Sequence, residues 1–153
     1  MNERAPKVAL LLGALGALAA LPSATGRQAP EYAGFAQPDC APWDGAAVWI
    51  VLTRGTAGAR SDSLELWAYA SVADVVGRRS IISPDPRSDG PSGAALYCAA
   101  GRPCAPVPAG SFVLDGLDAG GPLVGHFDLE LAGAEFRRGR FTAAWRPARP
   151  LCG

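Results

Sequence analysis

Four cysteines, all downstream of an N-terminal hydrophobic segment, constrain the fold of this chain more than any other feature. Export through such a segment delivers them to an oxidising compartment, where an even set pairs into disulfides. Cys98 and Cys104 bracket Ala-Ala-Gly-Arg-Pro, a turn-prone loop that brings them together. Cys40 and Cys152 are then left to tie the start of the domain to its penultimate residue. We therefore expect Cys98–Cys104 and Cys40–Cys152, with the crossed pairings as alternatives. Zinc is the competing use of four cysteines, but zinc ribbons take them in closely spaced pairs, and none occurs here. No redox-active Cys-x-x-Cys occurs either. The bridges are structural.

The export signal has three parts. Arg4 and Lys7 form a basic flank, Val8 to Leu21 an apolar run, and Pro22-Ser23-Ala24-Thr25-Gly26 a small-residue segment. The run is about 14 residues, short of the ~20 that a membrane-spanning helix needs. We read residues 1–26 as a signal peptide cleaved between 19 and 26, with an uncleaved anchor as the alternative. No paired arginines precede the run, so the general secretory route is expected. Cys40 lies too far beyond it to be a lipid anchor. The mature chain is expected to be soluble and secreted or periplasmic, with no membrane span.

Composition excludes several chemistries. The only lysine, methionine and asparagine (Lys7, Met1 and Asn2) leave with the signal, which removes Schiff-base lysine, P-loop phosphate chemistry and N-glycosylation. From Thr25 onward 12 arginines face 13 carboxylates, a balance without an electrostatic footprint for nucleic acid. No cofactor motif is present.

Short strands separated by glycine and proline predict an all-β domain, a small antiparallel β-sandwich or barrel, over 40–153. Residues 27–39 read as a linker or extended arm. Ala46 to Thr53 is a strand apolar on both faces, and Ser63 to Ser71 alternates as its hairpin partner. Val72 to Ser83 is ambiguous between a helical turn and a strand ending at Ile82. Pro84 to Gly93 reads as a loop, and Ala94 to Cys98 as a short strand. Ser111 to Leu114 reads as a strand ending in an Asp115-Gly116 turn. Leu123 to Leu131 places Phe127, Leu129 and Leu131 inward and His126, Asp128 and Glu130 outward. After a turn at 132–134, Phe141, Ala143 and Trp145 share a face, and Gly139 suggests a bulge.

Gly125-His126-Phe127, Gly139-Arg140-Phe141 and the terminal Cys152 together resemble the last hairpin of uncharacterised secreted bacterial β-barrel proteins of calycin-like type. The resemblance spans roughly the last 45 residues and implies fold and compartment but no shared activity. The longer segment Arg146 to Leu151 departs from that pattern.

Candidate sites are few. His126 with Asp128 and Glu130 puts three possible metal ligands on one strand face, but side chains two residues apart on a strand stand ~7 Å apart, which favours an arginine-paired polar face over a metal site. Any catalytic triad must route through His126, and no Gly-x-Ser-x-Gly elbow accompanies it. Asp115 and Asp118 read as turn residues rather than calcium ligands. Trp49, Trp67 and Tyr69 form a possible aromatic ligand platform or barrel mouth, against a purely buried role for the same rings. The expected function is non-enzymatic binding of a small apolar or amphipathic ligand, or of an envelope protein. The alternatives are an envelope hydrolase using His126 or a carboxylate pair (Asp128 with Glu65 or Glu130), and a structural accessory domain.

Overall fold

The computed structural model describes residues 32–55, 61–83, 92–117 and 119–152. The proposed signal peptide, its cleavage window, Asp118 and residues 84–91 of the expected loop lie outside these, while Ser92 and Gly93, read with that loop, are strand. Nine strands form in chain order: β1 (Tyr32–Cys40), β2 (Ala46–Arg54), β3 (Ser63–Ala68), β4 (Arg79–Ile82), β5 (Ser92–Cys98), β6 (Ala105–Pro106), β7 (Ala109–Leu117), β8 (Leu123–Leu131) and β9 (Glu135–Trp145), with one helical turn, α1 (Val72–Val75), between β3 and β4. The sheet runs β3-β2-β1-β9-β8-β7-β4-β5, and β5 pairs back onto β3 to close an eight-stranded barrel. The short β6 adds to β5 on the outside of this ring. Closure leaves the main ladder without a free edge. Both disulfides form as the spacing predicts, Cys40–Cys152 and Cys98–Cys104.

Inward-facing residues from every major strand fill the barrel. Tyr32, Val48, Ile50, Leu52, Leu64, Leu66, Phe112, Leu114, Leu123, Phe127, Leu129 and Phe141 belong to one buried cluster. The alternation that predicts β3 and β8 is seen directly: Leu64, Leu66 and Ala68 are buried, as are Phe127, Leu129 and Leu131. An eight-stranded ring is just wide enough for side chains to fill.

Several expectations require correction. Residues 32–39, read as the end of a linker or arm, lie in β1, a strand of the ring paired antiparallel with β2 and parallel with β9. The domain therefore includes Tyr32. Pro38 hides the strand, yet it is tolerated because β9 stops pairing at Ala36 and the chain beyond has a neighbour on one side only. The barrel is not purely antiparallel, since β1–β9 and β4–β5 pair in parallel. Asp115 does not end its strand. β7 continues to Leu117 through a register shift between Leu114 and Gly116, so the turn signal marks a bulge. Gly139, where a bulge was expected, sits in an unbroken ladder opposite Phe127. The ambiguous stretch 72–83 contains both alternatives, α1 followed by β4.

Candidate functional site

Odd-numbered residues of β1, β2 and β3 face outward and build an aromatic stripe on the barrel exterior. Trp49 and Trp67 are register partners across β2 and β3, and their rings stack with centroids 6.1 Å apart and planes 12° apart. Phe35 of β1 meets Trp49 edge-on at 5.7 Å. The Arg146 guanidinium closes the row, 3.8 Å above the Phe35 ring, and the Arg146 N–H is anchored on the Ala36 carbonyl at 2.8 Å. Each indole is fixed through its only polar atom. Trp49 Nε1 donates to Glu65 Oε2 at 3.1 Å, and Trp67 Nε1 donates to Asp39 Oδ2 at 3.2 Å. Gln37 stands beside Trp49 on β1, and Ala94 and Leu96 of β5 flank Trp67 and Glu65. Both indoles are half-buried. Their hydrogen-bonding edges are spent, so what they offer a partner is ring surface.

Of the three residues expected to form a platform, Trp49 and Trp67 come together and Tyr69 does not join them. Tyr69 lies just past the end of β3, packed edge-on against Trp43 at 5.0 Å, and burial raises its hydroxyl pKa. Phe35, Gln37 and Asp39 complete the stripe but are missed in the sequence, because Gly34 and Pro38 make 27–39 look irregular. The available signal is the alternation of Tyr32 and Ala36, both buried, with Phe35 and Gln37.

The outward face of β8 carries His126, Asp128 and Glu130 as predicted. Asp128 pairs with Arg138 at 2.8 Å, and His126 Nδ1 sits 3.0 Å from Asp115 Oδ2, both residues well exposed. A cavity of about 300 Å³ opens here, lined in part by Ser111, His126 and Phe136. No serine or cysteine is hydrogen-bonded to the ring among the described residues, and every cysteine is in a disulfide. Among the described residues no group of His, Cys, Asp and Glu is arranged to hold a metal ion.

A polar cluster lies where β3 begins and β5 ends. Tyr97 donates to Asp62 Oδ2 at 2.7 Å, the Ala100 N–H donates to Asp62 Oδ1 at 3.1 Å, and Arg137 lies over the Tyr97 ring at 5.9 Å. The Tyr97 bond is the main reason that the Asp62 carboxyl titrates below its ordinary 3.8. Asp62 therefore stabilises the fold fully above that value, and the gain is lost as the pH falls through the lowered one. Burial first, and the Asp62 bond second, push Tyr97 up to about 12. Its contribution is complete below the ordinary tyrosine value of 10.0 and disappears as the pH rises from there toward about 12. Tyr97→Phe is expected to lower stability by about 1–2 kcal/mol at neutral pH and to return the Asp62 carboxyl toward its ordinary titration. Urea unfolding and a carboxyl NMR titration of the variant check both effects.

A second opening, about 360 Å³ and mostly apolar, lies between the start of β2, α1 and the C-terminal tail, with Val48, Val72, Trp145, Pro150 and Cys152 on its walls. The Cys40–Cys152 bridge holds that tail in place. No helix of the described residues is long and apolar enough to cross a membrane. No protein-family model, curated protein or solved structure matches the chain.

Proposed function

We propose that the chain is an exported, disulfide-clasped binding domain that takes an amphipathic ligand on the outer face of β1, β2 and β3, at Trp49 and Trp67. One contrast supports this reading. The barrel interior is filled by its own core, whereas two stacked indoles stay only partly buried on the outside with their polar edges already satisfied. An interior ligand would have to displace that core, while an exterior ligand needs only to cover ring surface. Export is supported by the signal-like leader and by the two disulfides, which persist in oxidising compartments.

The test is native mass spectrometry of the oxidised protein after exposure to the small-molecule fraction of its own growth medium. An adduct is expected on the wild type and on His126→Ala, and none on Trp67→Ala. Both variants alter outward side chains, so the barrel should persist, with circular dichroism as the check. The opposite pattern, binding lost with His126 and kept without Trp67, would move the site to the His126–Asp115 pair.

A further inference from the structure

We infer that the ligand of the Trp49–Trp67 face is a carbohydrate, with the C–H face of a pyranose ring on the indoles and its hydroxyls turned to Asp39, Glu65 and Gln37. This rests on binding at that face, as proposed above, and adds the chemical class of the ligand.

The polar groups beside the rings are rich in acceptors. An ionised carboxylate only accepts hydrogen bonds and has about four lone-pair sites. Glu65 and Asp39 each take one indole N–H, through Oε2 and Oδ2 respectively, which leaves further acceptor capacity on both groups at the ring edges. Gln37, register partner of Trp49, adds an amide that both donates and accepts. The cation at the β9 end of the stripe, Arg146, is stacked on Phe35.

A ligand covering this face must therefore have two properties together: a flat apolar surface for the rings and hydroxyl-type donors around its edge. A purely apolar molecule would strip water from two carboxylates and leave their oxygens unmet. A quaternary ammonium would suit the negative charge, but it needs rings set apart as walls around it. Here the two indole planes are within 12° of each other and lie side by side on one strand pair, so they do not form walls around a cation. A pyranose meets both conditions, because its axial hydrogens form an apolar face and its equatorial hydroxyls form a donor-rich rim.

The experiment titrates the oxidised full-length mature protein with a panel of glucan, chitin, xylan and mannan oligosaccharides, with choline for comparison. The indole N–H resonances are followed by NMR. The expected result is saturable movement of the Trp49 and Trp67 signals with at least one oligosaccharide, the Trp145 signal staying fixed. Trp67→Ala should weaken that binding by more than about tenfold. Glu65→Gln, which keeps one acceptor oxygen but removes the charge, should weaken oligosaccharide binding by less than Trp67→Ala does, by about three- to tenfold, without abolishing it.

Movement with choline alone, abolished by Glu65→Gln, would overturn the carbohydrate assignment in favour of a cation. Silence across the oligosaccharide panel would overturn it as well. The growth-medium fraction then separates the two levels of the account. If it still shifts Trp49 and Trp67, only the ligand class falls; if it does not, the binding face falls too.

Discussion

Gly125→Val is expected to cost about 3 kcal/mol or more, a large share of the ~5–15 kcal/mol that holds a domain together. The first carbon added at Gly125 would lie 2.4 Å from the Val113 carbonyl oxygen and 2.5 Å from the Phe141 ring. The carbonyl belongs to the β7–β8 ladder and cannot retreat without breaking it. The ring is nearly fully buried, and its displacement would open the core from the other side. Valine adds two further carbons to the same space. Gly116→Ala is the control, because nothing lies within 4 Å of its added carbon and its φ is outside the left-handed region. It should stay within about 0.5 kcal/mol of wild type. Equal losses in urea unfolding would contradict the assigned register.

That register explains the repeated glycine–x–phenylalanine of the last hairpin. Gly125 pairs with Phe141 and Phe127 pairs with Gly139, so each phenylalanine covers the glycine opposite. A carbon added at Gly139 would lie 2.6 Å from the Phe127 ring. The glycines make space for two large rings inside a narrow barrel. Gly139 was open to misreading as a bulge because a lone glycine in a strand marks either a bulge or a close approach, and sequence does not separate the two.

The second large effect belongs to the long disulfide. Removing Cys40–Cys152 with a paired serine substitution should cost about 4 kcal/mol, because the bridge closes a loop of 112 residue separations in the unfolded chain. In the chain-entropy model a loop of about 100 residues is worth about 4.7 kcal/mol. Removing Cys98–Cys104, whose separation is 6, should cost about 2 kcal/mol. The first variant should therefore melt roughly 10 °C or more below wild type, and the second should lie between them. Calorimetry on both variants reads this order directly. Equal losses would show that the long bridge does little to restrict the unfolded chain.

The legible parts of this fold are those in which one physical signal decides. Cysteine spacing separates the two disulfides, because a turn-prone heptapeptide closes the short one and leaves a single partner for each remaining cysteine. Strict alternation predicts β3 and β8 with the correct inward residues. The barrel's closure was not legible: it depends on the β3–β5 and β1–β9 pairings, which join segments far apart in sequence. β1 was lost because Pro38 and Gly34 contradict a strand locally, while the pairing that overrides them comes from β2 and β9. Half of the candidate site was lost with it. Alternation sets Trp67 opposite Leu64 and Leu66, but β2 is apolar on both faces and leaves the side of Trp49 open, and the Phe35 ring, the Asp39 carboxylate and Gln37 sit on the strand whose sequence looks like an arm. Tyr69 follows the same alternation, yet β3 ends at Ala68, and the next residues turn toward Trp43.

Binding on the outer aromatic face of this filled barrel is read out by amide and indole NMR spectra of the oxidised protein, recorded with and without the small-molecule fraction of its growth medium. Shifts are expected only at Trp49, Trp67 and the outward positions around them, Phe35, Gln37, Asp39 and Glu65, with core residues such as Leu66, Phe112 and Phe127 unmoved. Shifts centred on the core, or on His126 and Asp115, would contradict binding at that face.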